Sequence, residues 1–268
     1  MEKIINFTKM VASGNDFILI TLADARGYNL AKLAKKICDR KFGIGADGLL
    51  LIGEEKNIFR MRIFNSDGSE AQMCGNGARC AAYFLSEKFK IKNLKIKTDA
   101  GVIEADVNKN KVKIKLTQPK HLKLDIPIKV NNRLLKVNFI NTGVGHTIIF
   151  VEGLEKIDVF NLGRLIRYHK YFKTEGTNVD FVEIVCDNFI KLRTYERGVE
   201  DETLACGTGA VAASIITSYK LDVKPKYFKV LTKGGEILKV YFKKEEDKIY
   251  DVWLEGLVAI VCRGGFYA

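Results

Sequence analysis

A turn of the form Cys-Gly-X-Gly-Ala occurs twice in this chain, as Cys74-Gly75-Asn76-Gly77-Ala78 and as Cys206-Gly207-Thr208-Gly209-Ala210, 132 residues apart. Each copy runs straight into a small, apolar helical pattern: Arg79-Cys80-Ala81-Ala82-Tyr83-Phe84-Leu85 after the first, Val211-Ala212-Ala213-Ser214-Ile215-Ile216 after the second. The same shift lays Glu70 on Glu202, Ala81 on Ala213 and Asn6-Phe7 on Asn138-Phe139. With two more residues of slip, Thr98, Gly101 and Ile103 meet Thr232, Gly235 and Ile237. The shift is close to half of the 268 residues, so the chain reads as two similar halves.

Short β-branched or alternating runs separated by turn residues predict strands over 3–9, 16–22, 48–53, 58–64, 94–98, 101–107 and 111–116 in the first half. The second half offers 134–140, 147–152, 181–186, 189–195, 227–231, 236–243 and 249–255. Helical periodicity is confined to 29–41, 76–88, 161–171 and 208–220. This is an α+β chain of two pseudo-symmetric domains, each a mostly antiparallel sheet around one central helix that begins at a Cys turn. The all-round apolar character of 205–217 predicts a buried helix. Pro119 and Pro127 mark the expected crossing, giving domains 1–117, joined by 257–268, and 118–256.

With 47% hydrophobic residues the chain can bury a substantial core, and no apolar run is long enough to span a bilayer. The start lacks a signal-peptide layout, so a cytoplasmic location with reduced thiols and no membrane partner is expected. Three histidines and no C-x-x-C pair argue against a metal site. The net charge of +12 raises the question of nucleic acid, but the lysines alternate with apolar residues, as in Lys111-Val112-Lys113-Ile114-Lys115-Leu116. Such alternation puts them on the wet face of a strand, and no nucleic-acid partner is expected. Gly43-Ile44-Gly45-Ala46-Asp47-Gly48 matches the dinucleotide fingerprint, yet a helix precedes it and a strand follows, so it reads as a helix-ending loop.

A thiol at a helix N-terminus lies where unpaired N–H groups and the macrodipole favour the thiolate. Two such thiols suit inversion at the α-carbon of an amino acid, in which a proton leaves one face and another arrives on the opposite face. One thiolate and one thiol of similar basicity can exchange roles as base and acid. The N–H groups of Gly75-Asn76-Gly77 and Gly207-Thr208-Gly209 are placed to bind the carboxylate on which charge develops. Paired sulfurs also predict redox sensitivity, since without substrate they can close to the disulfide length of about 2.04 Å. Cys38, Cys80, Cys186 and Cys262 each sit within an apolar pattern and are read as core.

Beyond the two turns, Gly14-Asn15-Asp16-Phe17, Phe64-Asn65-Ser66-Asp67-Gly68-Ser69-Glu70, Thr177-Asn178-Val179-Asp180-Phe181 and Tyr195-Glu196-Arg197-Gly198 stand out. Together with the Cys blocks and Phe42–Gly48 they resemble the diaminopimelate epimerase family, over nearly the whole chain. The resemblance implies an active site in an interdomain cleft, a homodimer, and interconversion of LL- and meso-diaminopimelate in lysine and peptidoglycan precursor biosynthesis. It implies an isomerase that needs no cofactor, neither pyridoxal phosphate nor metal. By matching position, Cys74 and Cys206 are the catalytic thiols. Contacts to the α-carboxylate and α-amino group fall on Gly75, Asn76, Glu196, Arg197, Gly207 and Thr208, and those to the distal centre on Asn15, Asn65 and Asn178.

For Arg197 the competing reading is a surface ion pair with Glu196, Glu200 or Asp201, and for the asparagines a turn or cap role. Two departures stand out. Val11-Ala12-Ser13 replaces the His-Gly common before Gly-Asn-Asp, and Gly143-Val144-Gly145-His146 replaces a Gly-Asn-Pro-His or Gly-Val-Pro-His run. His146 is expected to be a loop residue. The alternative activity is that of a proline or hydroxyproline racemase-like enzyme, which shares the two-thiol logic without needing the asparagines. A phenazine-biosynthesis-type isomerase would lack the paired cysteines. A nucleic-acid-binding module would rest on the charge alone.

Overall fold

The computed structural model describes residues 4–55, 58–246 and 248–267. The chain divides into two compact units, Met1–Lys115 with Gly256–Ala268, and Leu116–Glu255. Residue 3, placed at the start of the first expected strand, lies outside the described residues.

In the first unit β1 (Ile4–Ala12) and β2 (Asn15–Thr21) form a hairpin, followed by α1 (Leu30–Cys38), β3 (Gly48–Glu55), β4 (Ile58–Asn65) and the short β5 (Glu70–Ala71). Next come α2 (Gly75–Phe89), β6 (Asn93–Thr98), β7 (Gly101–Asn108) and β8 (Lys111–Lys115). The strands run side by side in the order β1-β2-β3-β4-β6-β7-β8, and Ala259–Tyr267 pairs with the free side of β1. Among the described residues of this unit only β2–β3 and β4–β6 are parallel. Those two steps cross over through α1 and α2, because a parallel pair needs a long connection.

The second unit repeats this plan. It comprises β9 (Lys120–Val130), β10 (Arg133–Asn141), β11 (Gly145–Phe150), α3 (Val159–Arg167), β12 (Asn178–Cys186) and β13 (Phe189–Glu196). Then follow β14 (Asp201–Thr203), α4 (Gly207–Lys220), β15 (Phe228–Leu231), β16 (Ile237–Glu245) and β17 (Lys248–Leu257), before the chain closes with β18 (Ala259–Tyr267). The order is β9-β10-β11-β12-β13-β15-β16-β17, with β11–β12 and β13–β15 the parallel steps. Even a side-chain pair is duplicated. Arg62 holds Glu70 with two bonds of 2.6 and 2.9 Å, and Arg193 holds Glu202 with two of 2.6 and 2.7 Å. Each pair fixes the short strand that leads into its Cys turn.

The central helices are wrapped by their sheets. Helix α2 touches β1, β2, β3, β4, β6, β7 and β8, and α4 touches six strands from β10 to β16. Alanines let strands approach from all sides: Ala78, Ala81 and Ala82 in α2 are fully buried, as is every residue from Gly209 to Ser218 in α4. Ser214 and Ser218 avoid an unmet hydroxyl by donating to the helix's own carbonyls, of Ala210 at 2.8 Å and Ile215 at 2.7 Å.

Every expected strand is present among the described residues, and the helices are those expected with adjusted ends. Helix α1 stops at Cys38 because the Asp39 carboxylate accepts the amides of Lys41 and Phe42. A Cβ at Gly43 would collide with the Lys36 carbonyl, so the chain leaves the helix there through glycine. Two expectations need correction. Pro127 lies inside β9, opposite Lys136, with Ile126, Ile128 and Val130 turned inward. Proline has no N–H to give to a ladder, and it is tolerated here because β9 is an edge strand, paired with β10 alone among the described residues. Cys186 and Cys262 are exposed rather than core: Cys186 ends β12 next to the exposed Val185, and Cys262 lies in β18, which is exposed along most of its length.

Cys38 and Cys80 are buried as expected. Burial, with the Asp16 and Asp47 carboxylates, pushes the Cys38 thiol up to about 12. Burial raises Cys80 as well, against the pull of Arg79. An unfolded cysteine ionises near pH 8.5, so below that pH both states are protonated and the raised value costs nothing. Above it only the unfolded chain releases the proton, and stability falls by about 1.4 kcal/mol per pH unit for each such thiol. Urea unfolding at pH 9 to 10.5 should show a slope shallower by that amount in Cys80→Ala than in the parent. Parallel slopes would contradict the buried neutral thiol.

Candidate active site

Cys74 and Cys206 occupy the same place in the two units, the N-cap residue of the central helix, with extended backbone (φ −142° and −120°). Cys74 is half-buried and Cys206 is buried. Gly75 and Asn76 form the first turn of α2, Gly207 and Thr208 that of α4.

Around Cys206 the second unit builds a connected set of polar groups. The Thr208 hydroxyl lies 3.6 Å from the Cys206 sulfur and 2.9 Å from His146 Nε2. His146 Nδ1 lies 2.7 Å from Asp180 Oδ2, and both side chains are wholly buried. The other carboxylate oxygen, Oδ1, accepts from the Thr194 hydroxyl at 2.7 Å. A Cβ at position 209 would strike Asp180 Oδ1, so Gly209 admits the carboxylate against the helix start. His146 is therefore not a loop residue. It stands in β11, beside the parallel strand β12 that carries Asp180. A carboxylate accepts, so Nδ1 is the donor of this pair and Nε2 is left to accept from the Thr208 hydroxyl.

This environment sets the charge of Cys206. Burial, then the nearby Glu196 and Asp180 carboxylates, hold its thiol well above the usual cysteine range, against the Thr208 hydroxyl and the Gly209 N–H. The helix N-terminus alone favours a thiolate, and at Cys206 burial and the carboxylates oppose it. A helix terminus contributes roughly 0.3–2 kcal/mol, too little to offset two adjacent carboxylates and full burial. Glu196 at the end of β13 is itself raised, by burial first and by Asp180, with Thr203 and His146 opposing.

Two other expected residues join this unit's set. Asn178, buried at the start of β12, donates to the Gly145 carbonyl at 3.0 Å and accepts the Arg197 N–H at 2.8 Å. The Arg197 guanidinium donates to the Glu175 carbonyl at 3.0 Å, while Glu200 pairs with Arg167 instead.

In the first unit Asn15 and Asn76 meet directly. Asn76 Nδ2 donates to Asn15 Oδ1 at 2.5 Å, and Asn15 Nδ2 donates to Asp47 Oδ2 at 3.1 Å. Arg40 clamps Asp47 and Asp16 together, at 2.7 Å from each, and Lys9 adds a second ion pair to Asp16 at 3.0 Å. Burial alone would raise the Asp16 carboxyl, yet Arg40 and Lys9 hold it below the usual range. The Gly43–Gly48 loop thus brings Asp47 to Asn15. Asn65 is exposed at the end of β4, where it donates to Ser69 Oγ at 2.9 Å across a tight turn, opposite Gly48 in the ladder.

The family model described as diaminopimelate epimerase matches residues 7–122 and again 138–253, once in each repeat. The chain belongs to the diaminopimelate epimerase family. It is 44% identical over 272 residues to the diaminopimelate epimerase of Aquifex aeolicus, with 96% of each chain covered. The diaminopimelate epimerase of Hydrogenobaculum sp. is 42% identical over 96% of each, and that of Archaeoglobus fulgidus 40% identical over 92% of this chain and 91% of its own. Among solved structures, a PhzF-family phenazine biosynthesis protein from Bacillus anthracis superposes with a TM-score of 0.75 at 19% identity, covering 99% of this chain and all of that one. A hydroxyproline epimerase from Agrobacterium vitis gives 0.71 at 14%, covering 99% and 93%. At such identities the likeness to these two is one of fold.

Proposed function

We propose that the protein interconverts LL- and meso-diaminopimelate by two-base proton transfer, with Cys74 and Cys206 as the acid–base pair. The observation that carries this is the placement of a cysteine at the head of the equivalent buried helix in each of two repeats. Family membership and the relatives' names supply the substrate. The step proceeds as follows. Cys74, as thiolate, removes the α-proton, and the electron pair moves into the substrate carboxylate. Cys206, as thiol, delivers its proton to the opposite face, which leaves Cys74 neutral and Cys206 as thiolate. The amides of Gly75, Asn76, Gly207 and Thr208, with Glu196 and Arg197, hold the α-carboxylate and α-amino group, while Asn15, Asn65 and Asn178 read the distal centre.

Thr208 and His146 complete the cycle. When the Cys206 sulfur is charged, the Thr208 hydroxyl turns from His146 Nε2 to donate to it, and His146 keeps its proton on Nδ1 throughout. When the sulfur is protonated the bonds reverse. Two hydroxyl orientations therefore serve both charge states, and no side chain has to move.

The test is proton exchange with LL-diaminopimelate in deuterated water under reductant. Loss of the α-proton signal together with appearance of the meso isomer is expected. Exchange with proline or hydroxyproline instead would keep the two thiols and replace the substrate, and no exchange with any α-amino acid would end the proposal. Supply of the meso isomer to lysine and peptidoglycan precursors, a cytoplasmic location, a homodimer and the absence of a nucleic-acid partner belong to the same reading. Sedimentation and salt-dependent retention on DNA test the last two. No helix of the described residues is long and apolar enough to cross a membrane.

A further inference from the structure

We propose that Arg79 and Asp47 are positioning residues that lock the amide orientations of Asn76 and Asn15, so that this pair offers N–H groups to a substrate carboxylate. The proposal rests on the reading of Asn15 and Asn76 as substrate contacts. Arg79 is wholly buried in α2. Its guanidinium donates to Asn76 Oδ1 and to Ser13 Oγ at 2.6 Å each, and to the Leu257 carbonyl at 3.4 Å. One side chain thus ties the β1–β2 turn, the first turn of the Cys74 helix and the segment before β18.

Direction matters more than the ties. A guanidinium can only donate, so the Asn76 oxygen must face Arg79 and its nitrogen must face away. That nitrogen donates to Asn15 Oδ1 at 2.5 Å, which turns the Asn15 nitrogen toward Asp47 at 3.1 Å. A carboxylate can only accept, and Asp47 is itself held by Arg40 at 2.7 Å and by the Asp16 N–H at 3.2 Å. The four groups therefore form a chain, Arg79 to Asn76 to Asn15 to Asp47, whose two ends dictate the same sense. Turning over either amide would set donor against donor at one contact and acceptor against acceptor at the next. An asparagine elsewhere is free to present either end to a ligand, and these two are not.

Each amide nitrogen has two hydrogens, and among the described residues each spends one on the chain. What remains for a ligand is one N–H on each, suited to a carboxylate and not to an ammonium group. Burying a full positive charge in a helix is costly, and the Nη donations that offset it here go to oxygens whose orientation the site needs.

Arg79→Gln, Asp47→Ala and Arg79→Lys would be assayed with diaminopimelate and with its mono-carboxamide, and the side-chain amide signals of Asn15 and Asn76 followed by ¹⁵N NMR. Glutamine can accept as well as donate, so it releases the sense of the chain, whereas lysine can still donate to both Asn76 and Ser13. Loss of one oriented charge-assisted bond corresponds to about a tenfold rise in KM. That rise is expected in Arg79→Gln with kcat changed little, together with an equal fall in preference for carboxylate over carboxamide and loss of hydrogen-exchange protection at both amides. Arg79→Lys should recover most of it. Asp47→Ala, at the exposed end of the chain, should show the same pattern more weakly and covers the case that Arg79→Gln does not fold. Equal losses on both substrates, or amide signals unchanged in Arg79→Gln and Asp47→Ala, would overturn the proposal. A wild-type chain inactive on diaminopimelate would overturn the substrate reading instead, and the amide signals would still decide the lock.

Discussion

Cys74→Ala and Cys206→Ala are each expected to lower the rate of epimerisation by at least about a thousandfold, toward the upper end of what a positioned acid or base contributes. The two variants should not fail identically. With Cys206 removed, Cys74 can still take a proton from one face and return a deuteron to that same face. With Cys74 removed, Cys206 can do so only from the other. In deuterated water each single variant should therefore exchange the α-proton of one isomer slowly and with retention, each choosing the opposite isomer, and the double variant should exchange neither. The expected asymmetry goes further. Cys206 is held as a thiol by burial and by Glu196 and Asp180, so near neutral pH the Cys74→Ala variant has its remaining group in the acid form and should exchange more slowly at first. Its exchange should accelerate as pH rises. Equal exchange of both isomers by one single variant would mean that a single base serves both faces, and the two-thiol mechanism would fall.

Serine in place of either cysteine separates size from acidity. Its hydroxyl fits where the thiol was, but it does not ionise in the accessible range, so Cys206→Ser should be nearly as impaired as the alanine variant while unfolding at a similar urea concentration. A stable, folded and inactive serine variant would place the loss in proton chemistry and not in packing.

Most of the fold was legible because two periodicities speak plainly. Alternating residues such as Lys111–Lys115 can only be a half-buried strand, and the duplicated Cys turns mark where each central helix begins. The duplicated topology followed from the repeat, since the same spacing of turns enforces the same crossovers. What misled was a local signal opposed by tertiary context. Pro127 reads as a boundary only where a strand needs every N–H, and β9, paired with β10 alone among the described residues, is an edge strand that does not. His146 follows Gly143 and Gly145, which suggest a loop, yet the run Thr147-Ile148-Ile149-Phe150 after it belongs to a strand paired in parallel. Such strands are buried on both faces, so a polar residue in one must have a buried partner. Asp180, set between Val179 and Phe181, is that partner, and two isolated polar residues in two apolar strands were the available sign. Asn15 and Asn76 were named from resemblance, and Arg79 stands three residues beyond Asn76 on one helix, but no spacing in the sequence links these two to positions 15 and 47. That chain exists only because the hairpin, the loop before β3 and the helix converge.

The charge state of Cys206 was not legible either, because it depends on carboxylates brought from β12 and β13, and this yields the second large effect. Asp180→Asn should lower kcat by roughly 10²–10³-fold. An asparagine can donate as well as accept, so it no longer fixes the proton on His146 Nδ1, and Nε2 loses its assigned role toward Thr208. The variant should also move the pH profile in a determined direction. A carboxylate near the sulfur disfavours the thiolate, so neutralising it lowers the thiol's pKa. If Cys206 must be protonated to deliver its proton, the alkaline limb of the forward rate then falls at lower pH than in the parent. Glu196→Gln removes a carboxylate that acts on Cys206 ahead of Asp180 while leaving His146 and its partner in place, so it should shift the limb in the same sense without the tautomer defect. Titration of thiolate ultraviolet absorbance in a chain whose other cysteines are replaced reads this directly. A Cys206 that ionises at the same pH in parent, Asp180→Asn and Glu196→Gln would show that neither carboxylate controls it. Removing the partner altogether is a harsher change. Asp180→Ala leaves an imidazole buried with no acceptor for its N–H and opens space beside Gly209, so it should cost about 1–3 kcal/mol of stability, as an unmet buried donor does. His146→Gln, with both groups neutral and the carboxylate still bonded to Thr194, should lose less stability and comparable activity. That ordering distinguishes a relay that tunes a proton from a pair that merely fills the core.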